Sequence, residues 1–177
     1  MKMSLMALAF AGFTAQTALA VDCTITLSGN DQMQYDKKEI KLPAECATSD
    51  IKIDFKHIGK LPAAAMGHNV VLIENGKLPT IQTRYAAAGA DPAKIDANSE
   101  QLKTGGEVIA YTKIVGGGAA DSTVIPKNKL KAGEKYQYFC SFPGHFALMT
   151  GTLEIEKAAP STAAATTDKD KKADKKK

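Results

Sequence analysis

Residues 138–149 restrict what this chain can fold into more than any other segment, because one short loop holds three potential metal ligands. They are the thiol of Cys140, the imidazole of His145 and the thioether of Met149. The residues between the first two include Pro and Gly, which are typical of a tight turn. Thiolate and thioether groups select copper, and imidazole suits it as well. The loop therefore predicts a mononuclear copper site, which needs a rigid framework around it.

A second imidazole must come from elsewhere in the chain, which contains three His residues. His68 is the natural candidate, because it stands in the sequence Met66-Gly67-His68-Asn69. His57 is interpreted as a core histidine, and proton-linked tuning of the copper potential stays open as its alternative role. The same donors also fit zinc.

The middle of the chain reads as a series of short strands. Ile51–His57 alternates between apolar and polar residues, so that its four odd-numbered residues share one inward face. In residues 149–155 the parity that buries Leu153 also turns Met149 inward. Further strands are predicted at residues 23–27, 70–73, 108–114, 122–125 and 135–140. This spacing predicts an all-β fold, a Greek-key β-sandwich.

Residues 77–105 depart from the strand pattern. Pro79 is placed like the first residue of a helix, residues 80–88 tolerate a helix, and Gly89 is a plausible C-terminal cap. One short helical insert in the sandwich is therefore predicted here.

Both ends of the chain differ from the middle in composition. Residues 1–20 read as a cleaved signal peptide, with Lys2, a short apolar run and an Ala-x-Ala cleavage site. Residues 157–177 hold seven Lys and three Asp but no aromatic or branched aliphatic residue, which predicts a disordered tail. This tail is either a tether toward acidic surfaces or a solvated spacer. We expect one domain over residues 21–156, exported to the periplasm, with no transmembrane segment in the mature chain.

Three Cys residues in an exported chain leave one thiol over after a single pairing. Cys23 and Cys46 are the expected disulfide pair, and a bound metal protects the remaining thiol of Cys140. No Ser or Cys nucleophile accompanies His57 and Asp54, and no nucleotide-binding loop occurs. We expect neither enzymatic activity nor a nucleic-acid partner.

Several segments together resemble the azurin family of bacterial blue-copper proteins, the cupredoxins. The resemblance runs from about Cys23 to Ile155, and the Cys-x4-His-x3-Met spacing is its most specific part. The matching segments are Gly29-Asn30-Asp31-Gln32-Met33-Gln34, Leu61-Pro62, Met66-Gly67-His68-Asn69, Lys129-Leu130-Lys131, Phe139-Cys140-Ser141-Phe142-Pro143-Gly144-His145 and Ala147-Leu148-Met149.

The resemblance implies a cupredoxin-like sandwich of about eight strands with one copper ion, Cu(I) or Cu(II), at one pole. His68, Cys140 and His145 would form the trigonal plane of the site. Met149 would be the weak axial ligand, and the backbone carbonyl of Gly67 a still weaker one opposite.

The resemblance also implies a supporting layer around these ligands. Asn69 and Ser141 would brace the ligand loop, and backbone N–H groups would point at the sulfur of Cys140. Two residues depart from the family pattern. Val70 stands where many azurins carry a buried Trp, so the core around it must pack differently. Tyr111 stands where a surface His is common.

The predicted function is that of a soluble periplasmic type 1 blue-copper electron carrier. Its transient partners would be c-type cytochromes or other periplasmic redox proteins, such as terminal reductases or peroxidases, and the chain itself would be a monomer. A copper chaperone or copper buffer is the alternative, and it would need exposed, exchangeable ligands. An apolar patch around His145 is expected to dock the partners, formed by Met33, Leu61, Met66, Phe142, Pro143, Gly144, Ala147 and Leu148.

Overall fold

The fold is known from a computed structural model that describes residues 21–158. These residues form nine strands in two sheets packed as a sandwich, which confirms the predicted fold class. The predicted signal peptide and all but the first two residues of the predicted tail lie outside the described residues.

The first sheet has four strands, and it carries the alternating segment found in the sequence. Its order is β2 (Gln34–Tyr35), β1 (Thr24–Asn30), β4 (Ile51–His57) and β7 (Ala120–Ile125). β1 runs parallel to β4, and the other neighbours are antiparallel. The odd-numbered residues of β4 are all buried, including His57, so the predicted parity is correct.

The second sheet has five strands, and two of them lead into and out of the ligand loop. Its order is β3 (Glu39–Leu42), β9 (Thr150–Ile155), β8 (Lys135–Phe139), β5 (Val71–Glu74) and β6 (Ala110–Tyr111). β8 and β9 are antiparallel neighbours, so residues 140–149 connect the ends of two paired strands. In β9 and the residue before it, Met149, Gly151, Leu153 and Ile155 are buried, as the parity argument predicts.

The excursion between β5 and β6 contains two helices of two turns or more, although only one was predicted. They are α2 (Leu78–Tyr85) and α3 (Pro92–Thr104), and a four-residue helix, α1 (Ala63–Met66), precedes β5. The Asp91 side chain caps α3 by accepting a hydrogen bond from the Ala93 N–H at 3.0 Å. No helix in residues 21–158 has both the length and the apolar character needed to cross a membrane.

The predicted strand at residues 108–114 is mostly wrong, because only Ala110–Tyr111 pairs as a strand. The Thr112 N–H still bonds to the Val70 carbonyl, but the N–H of Lys113 bonds to an Asp121 carboxylate oxygen and that of Ile114 to one of Asp96. Side-chain acceptors replace a regular ladder at these positions.

Helices cover the outer face of the second sheet, and this explains why β5 is apolar on both faces. Val71, Leu72 and Ile73 are all buried, and the Tyr85 ring of α2 packs edge-on against Phe139 at 6.0 Å between centroids. The predicted Cys23–Cys46 disulfide is present, and it leaves Cys140 as the free, buried thiol of the described residues.

Candidate metal centre

Three buried donor atoms meet where the ligand loop approaches the segment before β5. The Nδ1 atoms of His68 and His145 lie 3.1 Å apart, and the Sγ atom of Cys140 lies 3.8 Å from each of them. Within residues 21–158 these are the only His, Cys or acidic side chains found grouped closely enough to share a metal ion.

The spacing of these atoms fits a single metal ion. Imidazole nitrogen binds a first-row metal such as zinc at about 2.0–2.1 Å and thiolate sulfur at about 2.3 Å. Two such bonds at an angle near 120° separate nitrogen from sulfur by about 3.8 Å, which is the separation seen from Cys140 to both His68 and His145. The donors are therefore nearly positioned for one metal ion, and the two Nδ1 atoms, 3.1 Å apart, would separate to about 3.6 Å at the same angle.

His68 is positioned by hydrogen bonds of its main chain and of its ring. It forms an isolated β-bridge with Val115, with mutual N–H to carbonyl bonds of 3.1 and 2.9 Å. Its Nε2 lies 2.8 Å from the Asn30 carbonyl oxygen. Because a carbonyl can only accept, Nε2 carries the proton and the lone pair of Nδ1 faces Cys140.

The ligand loop is closed by its own backbone. The Cys140 N–H donates to the Met149 carbonyl at 2.9 Å, and the Met149 N–H donates to the His145 carbonyl at 2.8 Å. Gly144 has φ 83°, a left-handed conformation that glycine adopts without steric cost. This turn lets the chain reverse between Phe142 and His145, whose rings lie 4.7 Å apart.

Asn69 ties the two halves of the site together. Its Oδ1 accepts hydrogen bonds from the Ser141 N–H at 2.9 Å and the Ser141 hydroxyl at 3.1 Å. Its Nδ2 donates to the Thr112 carbonyl at 3.2 Å, and the Thr112 hydroxyl accepts from the Val70 N–H at 3.0 Å. Asn69 and Ser141, the two residues predicted to brace the loop, are thus hydrogen-bonded to each other, and Thr112 extends this link in a way the sequence did not indicate.

Met149 and Gly67 lie against the donor cluster. Met149 is fully buried, and its Cε is 3.1 Å from the position that a Cβ on Gly29 would take. The Gly67 carbonyl oxygen is 3.9 Å from the Cys140 sulfur. A Cβ on Gly67 would lie 2.4 Å from the Ala63 carbonyl oxygen. Only glycine therefore allows the backbone of residue 67 to pack this closely against Ala63.

Burial sets the protonation of the metal-free donors. It raises the pKa of Cys140 to about 12, although backbone N–H groups of Asn69 and Phe142 favour the thiolate. Burial, with nearby His68 and His57, lowers the pKa of His145 to about 4. Burial likewise lowers the pKa of His68. Near neutral pH both imidazoles are therefore neutral and free to coordinate, whereas the thiol must lose its proton.

His57 lies directly behind His68. Their rings stack with centroids 4.5 Å apart and an angle of 11°. The His57 Nδ1 accepts from the Gly59 N–H at 3.0 Å, and Nε2 lies 2.8 Å from the Met66 carbonyl oxygen. Both ring nitrogens are thus satisfied within the core, and no signal in the sequence indicated the stack with His68.

The residues predicted to form a docking patch differ in exposure. Leu61 and Leu148 are 42% and 55% exposed. Met33 and Met66 are half-buried, and Pro143, Gly144 and Ala147 are exposed. Phe142, by contrast, is only 5% exposed, and its ring packs against the His145 ring. His145 itself is 4% exposed, so only an edge of its ring reaches the surface.

Comparison with known proteins gives one consistent result. Residues 21–156 match the family described as copper binding proteins, plastocyanin/azurin family. The chain is 42% identical over 146 residues to the azurin of Bordetella pertussis, covering 82% of this chain and 91% of that protein. It is 44% identical over 134 residues to azurin-1 of Alcaligenes xylosoxydans xylosoxydans, covering 76% and 98%.

A solved structure agrees with these sequence matches. The azurin Az-iso2 of the obligate methylotroph Methylomonas sp. strain J superposes with a TM-score of 0.65 at 36% identity, over 77% of this chain and all of that one. The predicted cofactor is confirmed, since the family binds copper and the His68, Cys140 and His145 cluster suits a single copper ion. The chain belongs to the plastocyanin/azurin family of copper-binding proteins.

Proposed function

We propose that the chain is a periplasmic type 1 blue-copper electron carrier in which His68, Cys140 and His145 hold the copper ion. Met149 and the backbone carbonyl of Gly67 would hold the ion more weakly than these three residues. The observation that carries this proposal is the buried donor trio, with nitrogen and sulfur atoms 3.1 to 3.8 Å apart.

Copper would supply one-electron oxidation and reduction. The protein would hold the donor atoms in nearly the same positions in both oxidation states. The Asn69 amide fixes the ligand loop to the segment that carries His68. Backbone N–H groups of Asn69 and Phe142 stabilise the negative charge on the Cys140 sulfur. Such contacts around the ligands, together with burial, tune the reduction potential.

Burial favours a carrier over a copper chaperone or buffer. Cys140, His68 and Met149 are fully buried, and His145 nearly so. Ligands enclosed in this way exchange metal slowly, whereas a chaperone must release it to another protein. The same enclosure gives a substrate no access to the metal, and we propose that the chain is not an enzyme.

Electrons enter and leave through short-lived complexes at the exposed residues around His145. A small, weakly bound contact of this kind suits partners that must separate quickly. We propose c-type cytochromes or other redox proteins of the periplasm as partners, with the carrier acting as a monomer. The Cys23–Cys46 disulfide supports an oxidising compartment, in line with the signal-like composition of residues 1–20.

The ligand assignment is tested by replacing Cys140 with Ser and loading copper. We expect the oxidised wild-type protein to be intensely blue and the Cys140→Ser variant to lack this absorption, because the thiolate is gone. A Cys23→Ala/Cys46→Ala double variant is the control, and it should stay blue. A blue Cys140→Ser protein would contradict the assignment.

Two measurements separate a carrier from a chaperone. Electron self-exchange should be fast, and copper loss to a competing chelator slow. Rapid metal loss combined with slow electron exchange would favour the chaperone instead.

The docking role is tested separately with Ala147→Asp. This change should slow the reaction with a c-type cytochrome without altering the colour, whereas Ala97→Asp on the exposed side of α3 should change neither.

A further inference from the structure

A cavity of about 420 Å³ opens beside the metal centre, between α2 and the ligand loop. One wall comes from the helix side and includes Gln82 and Ala86. The opposite wall comes from the ligand loop and includes Pro143 and Phe146. None of its nine lining residues carries a charge.

The base of this cavity lies next to the copper-binding thiol. Tyr85, Phe139 and Ser141 line it, and the last two are the chain neighbours of Cys140. The Tyr85 hydroxyl is already paired with Ser99 at 3.0 Å, so it presents mainly its ring to the cavity. A side chain bound in this cavity would therefore contact the residues immediately before and after Cys140.

The cavity is continuous with the exposed residues around His145. Pro143 and Gly144 belong to both, and they are solvent-exposed, as are Ala147 and Leu148 further along the same loop. A protein that covers the face around His145 therefore also covers this cavity.

We propose that the cavity receives an uncharged, apolar side chain of the redox partner, and that α2 is thus part of the docking surface. This inference rests on the proposed electron-carrier function. A charged side chain would lose its hydration among lining residues that offer no opposite charge. An apolar anchor buried in a pocket near the centre of a contact is, in contrast, the arrangement that dominates binding energy in protein interfaces.

The test fills the cavity from its helix side. Ala86 lines it and is exposed, whereas the neighbouring Ala87 is exposed but does not line it. Ala86→Trp is therefore the test variant and Ala87→Trp its matched control. The second-order rate of oxidation of the copper(I) protein is measured with a purified monohaem c-type cytochrome. It is measured separately with hexacyanoferrate(III), a small oxidant that does not form a protein–protein interface.

We expect Ala86→Trp to slow the cytochrome reaction at least tenfold while the hexacyanoferrate rate and the colour stay unchanged, and Ala87→Trp to react like the wild type. An unchanged cytochrome rate for Ala86→Trp overturns the inference. If Ala147→Asp still slows the cytochrome in that case, the proposed carrier function stands and only the role of the cavity fails. An equal loss of rate with both oxidants also overturns it, since it would place the effect in the metal centre.

Discussion

Asn69 links the two chain segments that carry the copper donors. It is fully buried, and its amide makes three hydrogen bonds that link the His68 segment, the ligand loop and Thr112. We predict that Asn69→Leu, which has a similar size, lowers the free energy of unfolding of the metal-free protein by about 1–3 kcal/mol, because that is the cost of a buried polar group left unpaired.

Urea denaturation of the metal-free protein measures this loss. Asn98→Leu is the control, because Asn98 makes a single hydrogen bond at an exposed site, from its Nδ2 to the Arg84 carbonyl. It should cost about 1 kcal/mol or less. Equal losses for the two variants would show that Asn69 has no special structural role.

The low pKa of His145 makes the metal-free protein sensitive to acid. Its pKa is about 4 in the fold, against an ordinary value of 6.5. As the pH falls below about 6.5 the unfolded chain takes up this proton first, so stability decreases until the pH passes below 4. We predict a smaller decrease for His145→Gln over this range, measured by the denaturation midpoint. Identical pH profiles for the two proteins would contradict the low pKa.

The donors themselves could be found in the sequence, but their surroundings could not. The loop with Cys140, His145 and Met149 is local in sequence, so its spacing alone indicates a metal. The carbonyl of Asn30 that orients His68 belongs to the backbone, which has no residue-type signal. The stack of His57 on His68 depends on how β4 meets a distant segment, and residue parity specifies only that His57 is buried.

At the scale of elements, β1 approaches the copper site closely because residue 29 has no side chain. A Cβ on Gly29 would lie 3.1 Å from Met149 Cε, 3.2 Å from Phe55 and 3.3 Å from His68 Cδ2. We predict that Gly29→Ala shifts the visible absorption of the copper protein and lowers stability by about 1–3 kcal/mol, as extra volume in a packed core commonly does.

Gly105→Ala is the control for this change. A Cβ there would have no neighbour closer than 3.4 Å, and its φ of −74° suits any residue. The control should keep both the absorption and the stability. An unchanged spectrum for Gly29→Ala would mean that Met149 and His68 are less tightly held than their contacts indicate.

Strands with clear alternation were predictable, whereas short or irregular elements were not. Ile51–His57 and the strand after Met149 follow the period of two over their whole length. β2 and β6 have two residues each, too few for a pattern to form. α3 was missed although Asp91 and Pro92 are a typical helix start, because its 13 residues show no strong apolar face, with only Ile95, Ser99 and Leu102 buried.

At the scale of the molecule, the disulfide and the copper site occupy opposite ends of the sandwich. Cys23 precedes the first residue of β1, while Gly29 near its other end faces Met149 and His68. We predict that the Cys23→Ala/Cys46→Ala double variant loses about 2–4 kcal/mol of stability but keeps the blue absorption. Thermal unfolding and the visible spectrum measure these two effects, and loss of colour at a temperature where the variant is still folded would contradict the separation.

The origin of the donors in two distant parts of the chain has a consequence for assembly. Three of the proposed ligands lie within ten residues, but His68 is 72 residues away from Cys140. An unfolded chain therefore brings only the donors of the loop close together, whereas the complete ligand set forms only after β5 has paired with β8. Blue colour in a refolding experiment thus appears only when both the metal and the native pairing are in place, so with copper present from the start its appearance times the pairing of β5 with β8.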